Sequence, residues 1–143
     1  MSNASASPRV VLVTGGSRGI GLACARHFAA LGDHVAVTYN SSPPPDDFFA
    51  VKCDVTNNDE VDNAFKAIEE KFGPVQVLVS NAGITRDGLL LRMGEDDFAS
   101  VIDANLTAAY RVCKRATQGM LRARSGRIIL MSSVVALLGS AGQ

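Results

Sequence analysis

The stretch "RVVLVTGGSRGIG", residues 9–21, joins a run of apolar residues to a turn with glycines at Gly15, Gly19 and Gly21. The Val- and Leu-rich run predicts a buried β-strand, and the residues after the turn predict the start of a helix. Glycine permits a tight turn and a close approach to a pyrophosphate, and the first N–H groups of a helix bind anions. The stretch therefore predicts a dinucleotide site. A glycine-rich turn without a ligand is the alternative, which the position at the first strand–helix junction disfavours.

The rest of the chain continues this alternation of strand and helix. Apolar runs predict strands at residues 9–15, 34–40, 48–55, 75–83 and 126–133. Apolar spacing predicts helices at residues 19–31, 57–72 and 95–124. The segment 41–47 contains three prolines in a row and excludes a helix between the second and third strands. These elements predict an α/β fold, a doubly wound parallel sheet of the Rossmann type, truncated after its fifth strand.

The residue pattern within each helix predicts its buried side and its start. On the first helix, one side carries Ile20, Cys24, Phe28 and Leu31. Thr56 is the predicted N-cap of the second helix. On the third, Asn105 falls within an apolar stripe, where a buried amide without partners costs about 1–3 kcal/mol. Asn105 therefore either pins the helix to a neighbouring loop or serves the function of the protein.

Composition indicates one globular domain and excludes several classes of partner. The 143 residues include 14 basic and 14 acidic side chains, so the formal net charge is zero and no nucleic acid is expected as a partner. No apolar run reaches the length of a membrane span, so no membrane contact is expected. Three scattered cysteines match no metal site and predict packed thiols in a reducing compartment, the cytoplasm. Residues 1–8 are predicted to be a disordered lead, and residues 9–143 the nucleotide-binding domain.

The residues that end the second strand bear on the choice between NAD and NADP. An acid at this point would bind the ribose 2′-hydroxyl of NAD and repel the 2′-phosphate of NADP. The second strand is followed by Asn40 and two serines, and the first acid is Asp46. Arg18, within the glycine turn, is available to a phosphate, although a solvated surface arginine is the alternative. The sequence predicts NADP.

Taken together, these motifs resemble the short-chain dehydrogenase/reductase family. The resemblance rests on "TGGSRGIG" at 14–21, "CDV" at 53–55, "NAG" at 81–83, the asparagine of the long helix, and Ser133 after the fifth strand. Within the family, "NAGITRDGLLLRM" at 81–93 is similar to the bacterial 3-oxoacyl-[acyl-carrier-protein] reductases. The resemblance implies NADPH-dependent reduction of a 3-oxoacyl group to a 3-hydroxyacyl group in fatty-acid biosynthesis.

The resemblance also implies roles for individual residues. Asn105 would be the catalytic asparagine that holds a water in a proton relay, and Ser133 would hydrogen-bond the substrate carbonyl. Asp54 would bind the adenine amino group. From the residues alone, Asp54 and Ser133 also fit plain turn or capping positions. The implied cofactor-binding residues are Gly15, Ser17, Arg18, Gly19, Ile20, Gly21, Asn40, Asp54, Val55, Asn81, Ala82 and Gly83, and no metal site is expected.

Partners are implied by the resemblance as well. The substrate would be carried by acyl carrier protein, an acidic partner that Arg124 and Arg127 are candidates to contact. A solvated helix C-terminus, where basic residues complement the helix dipole, explains these arginines equally well. The family further implies a homo-oligomer.

The proton donor of the family is a tyrosine in a Y-x-x-x-K motif, expected beyond Gln143. "YRVCK" at 110–114 matches the motif, yet it lies in the helix of Asn105, so we interpret the match as coincidence. The 143 residues alone are therefore expected to be inactive in reduction. A non-catalytic NADP-binding or scaffold module and another short-chain ketone reductase are the alternative functions.

Overall fold

Five parallel strands form one sheet in the computed structural model of the chain, which describes residues 7–143. Most of the predicted lead, residues 1–8, lies outside the described residues. The strands are β1 (Val10–Val13), β2 (His34–Tyr39), β3 (Phe49–Lys52), β4 (Val77–Ser80) and β5 (Arg127–Leu130). The predicted parallel α/β fold is confirmed, although every strand is shorter than its apolar run.

The order of the strands fixes where a ligand can bind. The sheet runs β3-β2-β1-β4-β5, so the chain moves outward from β1 in one direction and later returns to add β4 on the other side. All four strand pairs are parallel, which brings the carboxyl ends of the strands to one edge. The direction in which successive strands are added to the sheet reverses between β1 and β4. Folds of this kind bind their ligands in the crevice at this point.

Helices cover both faces of the sheet. They are α1 (Gly19–Ala30), α2 (Asn58–Phe72), α3 (Glu95–Ile102), α4 (Ala108–Ala123) and the short α5 (Val135–Leu138). The helices α2 and α4 pack with one face of the sheet into a core that contains Phe65, Ile68 and Val112. On the opposite face, α1 packs through Ala25 against Val11, Val13 and Val37. Within residues 7–143, none of the helices combines the length and apolar character that crossing a bilayer requires.

The side of α1 that faces the sheet differs from the prediction. Ile20 and Leu31 are 63% and 61% exposed, whereas Gly21, Leu22 and Ala25 are buried. Gly21 and Ala25 let the helix backbone approach the sheet closely, whereas Ile20 and Leu31 point away from this contact. The predicted apolar side, which included Ile20 and Leu31, is wrong at these two positions.

The start of α2 also differs from the prediction, by one residue. Asn57 is the N-cap, and its side-chain oxygen accepts hydrogen bonds from the amides of Asp59 and Glu60 at 3.0 and 3.2 Å. The hydroxyl of Thr56, the predicted cap, instead donates to the Asp54 carboxylate at 2.7 Å. Thr56 therefore stabilises the turn before the helix.

The predicted helix over 95–124 is helical but contains a π turn at Asp103–Thr107, between α3 and α4. A π turn adds one residue to the helical repeat and so rotates the faces that precede and follow it. As a result Ile102 and Leu106 of the predicted apolar stripe are exposed, while Ala104 and Ala108 are buried. The expected buried position of Asn105 is also wrong, because Asn105 is exposed.

At the edge of the sheet, β5 leaves its apolar side chains accessible. Ile128, Ile129 and Leu130 are exposed by 40%, 41% and 59%. Alternate residues of a strand face opposite sides, so both faces of β5 lack a full covering within the described residues. Exposed apolar edge strands are prone to pair with other chains.

Candidate active site

The glycine turn lies at the carboxyl end of β1 and leads into α1. Gly15 and Gly19 have φ angles of +65° and +55°, a backbone conformation that glycine adopts readily. A Cβ atom on Gly15 would lie 2.9 Å from the Cα of Ala82, in the segment after β4. A Cβ on Gly21 would overlap the carbonyl oxygen of Gly15 and lie 2.5 Å from the side-chain nitrogen of Asn81. The turn is therefore packed closely against the Asn81–Ala82 backbone.

Thr14 and Asn81 join the turn to the segment after β4. The Thr14 hydroxyl oxygen accepts hydrogen bonds from the backbone amides of Asn81 and Ala82 at 3.0 and 3.1 Å. The Asn81 side chain donates to the carbonyls of Thr14 and Gly15 at 3.1 and 3.0 Å. Thr14 is buried and was absent from the residues singled out in the sequence. The signal in the sequence that could have identified Thr14 is its position, as a polar residue that follows an apolar strand and directly precedes the glycines.

The first turn of α1 has no side-chain cap. Arg18 occupies the N-cap position without making a capping hydrogen bond, and the first turn contains no acidic residue. In contrast, α2 is capped by Asn57 and carries two acids in its first turn. Arg18 and Ile20 are exposed, and Ser17 is partly buried beside them. The first amide groups of α1 are therefore left without a side-chain partner, and Arg18 adds a positive charge at this helix start.

Beyond β2, the first acid of the chain is occupied by an ion pair. Two nitrogens of the Arg26 guanidinium donate to the Asp46 carboxylate at 2.6 and 3.0 Å. These hydrogen bonds, together with the charge of Arg26, lower the pKa of Asp46. The pair ties the proline-rich connection to α1. Asn40, which directly follows β2, is exposed.

Asp54 forms the turn that follows β3. One oxygen of its carboxylate accepts from both the amide and the hydroxyl of Thr56, at 2.9 and 2.7 Å. Its own amide donates to Glu60 at 2.8 Å. These contacts agree with the turn interpretation. The second carboxylate oxygen makes no hydrogen bond with residues 7–143, and Asp54 and Val55 are both partly exposed.

Asn105 connects the π turn to the segment after β4. Its side-chain oxygen accepts the amide of Ile84 at 2.9 Å, and its nitrogen donates to the Ile84 carbonyl at 2.8 Å. A Cβ on Gly83 would overlap the same side-chain oxygen. The structure thus contains the helix-to-loop link that the sequence left as one of two interpretations. Because both polar groups bond Ile84, the side chain holds the backbone of 83–84 in place.

Ser133 lies on the continuation of β5 beyond the sheet edge. The amide of Met131 still donates to the carbonyl of Ser80 at 3.0 Å, which keeps this segment next to the end of β4. The Ser133 hydroxyl oxygen accepts the amide of Val135 at 3.2 Å, at the start of α5. Its hydroxyl hydrogen has no acceptor within residues 7–143 and is available to a carbonyl oxygen.

The remaining candidates lie on α4 and after it. Arg124 ends the helix with φ at +50°, and Arg127 begins β5; both are exposed. Tyr110 is 61% exposed. The ammonium of Lys114 lies over its ring, 5.7 Å from the centroid.

Cys53 is buried at the sheet, and loss of solvation raises the pKa of its thiol to about 11, with smaller contributions from Glu60 and Asp54. Burial also raises the pKa of Cys113. All three cysteines are free. No cluster of three or more His, Cys, Asp or Glu side chains that could hold a metal ion occurs in residues 7–143.

Comparison of the sequence with known proteins identifies one family. The family model described as short chain dehydrogenase matches residues 9–143. The 3-oxoacyl-[acyl-carrier-protein] reductase MabA of Mycobacterium avium is 56% identical over 135 residues, covering 94% of this chain and 53% of that protein. A 3-oxoacyl-[acyl-carrier-protein] reductase of Synechocystis is 45% identical over 147 residues, with 94% and 60% covered. FabG of Vibrio cholerae, a reductase of the same description, is 42% identical over 143 residues, with 94% and 59% covered. The chain therefore spans between 53% and 60% of the length of these curated relatives.

Proposed function

Because this chain belongs to the short-chain dehydrogenase family, we propose that it supplies the cofactor-binding half of an NADPH-dependent 3-oxoacyl-[acyl-carrier-protein] reductase. The relatives named above are described as 3-oxoacyl-[acyl-carrier-protein] reductases. The observation that carries the proposal is the contact of Gly15 and Gly21 with Asn81 and Ala82 at the switch point of the sheet.

The glycine turn and the start of α1 fit a pyrophosphate. A Cβ on either Gly15 or Gly21 would collide with protein atoms, so these glycines keep the turn tight. The first amides of α1 are left uncapped by side chains, and the positive end of the helix dipole favours an anion. Residues 15–21 would thus hold the pyrophosphate, and Asp54 and Val55, which follow β3, would contact the adenine ring.

The charges at the end of β2 support NADP as the cofactor. Asp46 is the first acid after β2 and could repel a 2′-phosphate. The Arg26 guanidinium holds its carboxylate through two hydrogen bonds. Asn40 is neutral and exposed, and Arg18 adds a positive charge at the start of α1. The first acid after β2 is therefore already paired, and the second, Asp47, is exposed.

Reduction of the ketone needs a hydride, which NADPH supplies when bound, and a proton. The Ser133 hydroxyl keeps its proton and would donate a hydrogen bond to the ketone oxygen, which stabilises the negative charge that develops there. The side chain of Asn105 fixes residues 83–84, and we propose that the π turn around it positions the proton relay. Asn81, Ala82 and Gly83 would line the path of the ribose and nicotinamide.

The partners are proposed on the same basis. Exposed Arg124 and Arg127 provide positive charge for an acidic acyl carrier protein. Phe98 and Tyr110 are 59% and 61% exposed on the helical segment 95–123, an apolar surface that supports the prediction of a homo-oligomer. The cytoplasmic location stays a prediction from the three unpaired cysteines.

Nucleotide titration tests the proposal directly. NADPH and NADH are titrated into the chain while the fluorescence of the reduced nicotinamide is followed. We expect saturable binding, with NADPH bound more tightly than NADH. Absence of binding by either nucleotide would contradict the proposed function, and tighter binding of NADH would contradict the choice of cofactor.

A second assay addresses the chemistry. The 143 residues are mixed with NADPH and an acetoacetyl thioester, and absorbance of the reduced nicotinamide is followed. No turnover is expected, because the one Y-x-x-x-K match, Tyr110 with Lys114, places the ammonium over the tyrosine ring on α4. Sustained oxidation of NADPH coupled to the thioester would overturn the expectation of inactivity.

A further inference from the structure

Lys52 is a cation at the carboxyl end of β3 that the site described above does not use. In the register of the parallel pair, Lys52 is the partner of Tyr39, the last residue of β2. Lys52 is exposed and makes no ion pair or side-chain hydrogen bond within residues 7–143. Its charge is therefore available to a ligand at this edge of the sheet.

Strand alternation determines the face on which Lys52 lies. Val35 and Val37 of β2, and Phe48 and Ala50 at β3, belong to the apolar cluster on the α1 side of the sheet. Alternate residues of a strand share a face, so Tyr39 and Lys52 continue these two rows on the α1 side. Adjacent strands are about 4.8 Å apart, and the two side chains are therefore neighbours.

The glycine turn crosses the same face just before these residues. A Cβ on Gly16 would lie 2.7 Å from the Cβ of Val37, and the Gly16 amide donates to the carbonyl of Thr38 at 3.0 Å. The turn thus rests on β2 one pleat before Tyr39. From there the chain passes to Arg18, exposed at the start of α1. Arg18 thus follows β1 and Lys52 ends β3, the two strands that flank β2 in the sheet.

Two acids near this position, Asp46 and Asp54, accept hydrogen bonds from other residues. Asp46 is held by Arg26 through two hydrogen bonds. One oxygen of Asp54 accepts two hydrogen bonds from Thr56. The exposed Asp47 is the remaining acid of the connection between β2 and β3.

We infer that Lys52 is a specificity-determining residue, which together with Arg18 binds the 2′-phosphate of NADP. The inference rests on the proposed function, since it requires a dinucleotide in the glycine turn. A 2′-phosphate carries close to two negative charges at neutral pH and would be matched by two cations. NAD lacks this phosphate, so Lys52 would contribute to the binding of NADPH and very little to that of NADH.

Lys52→Gln removes the charge while keeping a long polar side chain. Titration of the chain with NADPH and with NADH should show NADPH binding about three- to tenfold weaker and NADH binding unchanged. Lys52→Arg should retain the preference for NADPH, and Lys52→Glu should weaken NADPH further through repulsion. The wild-type preference should also decline as salt is raised, because the charges are exposed.

Lys71→Gln is the matched control, since Lys71 is exposed in the last turn of α2, on the opposite face of the sheet. It should bind both nucleotides like the wild type. If wild type binds NADPH and Lys52→Gln binds it equally well, or loses both nucleotides equally, the inference is wrong and the proposed function stands. If wild type binds neither nucleotide, the proposed function fails, and the inference fails with it.

Discussion

The side chain of Asn105 makes both of its hydrogen bonds to one residue, Ile84: it accepts the amide at 2.9 Å and donates to the carbonyl at 2.8 Å. This pairing mimics the contact between two strands and links the π turn to the backbone that follows β4. Gly83 lies so close that a Cβ there would overlap the Asn105 oxygen. The conformations of the π turn and of residues 83–84 therefore depend on each other.

Asn105→Ala should lower the free energy of unfolding by about 1–2 kcal/mol, because two hydrogen bonds of about 0.5–1.5 kcal/mol each are lost at an exposed site. Urea denaturation followed by circular dichroism measures the change. Asn63→Ala is the matched control, since Asn63 is an exposed asparagine of α2 without a side-chain hydrogen bond within residues 7–143. It should change the stability by less than about 0.5 kcal/mol.

Asn105→Asp separates the two bonds. The carboxylate still accepts the Ile84 amide, yet it has no hydrogen to donate and would face the Ile84 carbonyl. We expect it to be at least as destabilising as Asn105→Ala at neutral pH, with recovery when the carboxyl is protonated. Equal stability of wild type and Asn105→Asp at neutral pH would contradict the assigned pairing.

The sequence predicted the elements of the sheet better than the contacts between them. The strand "VVLV" and the glycine turn follow from local patterns, since their residue types suit few other conformations. In contrast, the role of Thr14 depends on amides 67 and 68 residues further along the chain, which no local pattern reveals. The π turn was not predicted because it, too, depends on contacts between residues far apart in the sequence. One additional residue per turn is stabilised by tertiary contacts such as that of Asn105, and the apolar spacing of 95–124 favours an ordinary helix.

Thr14→Val should destabilise the chain by about 2–3 kcal/mol. The valine has the shape of threonine but leaves the amides of Asn81 and Ala82 without their acceptor at a buried position. Thr14→Ser retains the oxygen and should lose less than half as much. Denaturation in urea compares the two variants, and a serine variant as unstable as the valine variant would show that packing, rather than the hydroxyl, matters at this position.

Gly21→Ala should weaken NADPH binding by at least about tenfold, because the added methyl group collides with the Gly15 carbonyl and the Asn81 amide and forces the turn open. Gly19→Ala is the comparison within the same turn. Gly19 has φ at +55° but no atom within 4 Å of an added Cβ, so alanine costs about 1–2 kcal/mol of backbone strain without a collision.

Fluorescence titration of the nicotinamide with both variants measures the difference. We expect Gly19→Ala to bind NADPH more tightly than Gly21→Ala, although both variants lose stability. Binding by Gly21→Ala at the wild-type level would show that the turn accommodates a methyl group, and would remove the steric argument for the pyrophosphate site.

The free energy of unfolding should depend on pH through the ion pair of Arg9 and Asp33, which precede β1 and β2. The Arg9 guanidinium donates to the Asp33 carboxylate at 3.0 and 2.6 Å, and these hydrogen bonds lower the pKa of Asp33 from its usual 3.8. A lowered pKa in the folded state means that the unfolded chain binds more protons near pH 3.8, so this contribution to stability is complete above that pH. It is lost as the pH falls further, toward the pKa of the folded state.

Asp33→Asn removes the titrating group and keeps one oxygen for the Arg9 amide, which Asp33 binds at 3.0 Å. The wild type should be more stable than this variant at neutral pH, and the difference should shrink below about pH 4. Asp47→Asn, at an exposed aspartate without an ion pair within residues 7–143, is the control and should follow the wild type more closely. A difference between wild type and Asp33→Asn that stays constant from pH 7 to pH 3 would mean that Arg9 does not stabilise the charged carboxylate, since only a pKa that changes on folding makes the difference depend on pH.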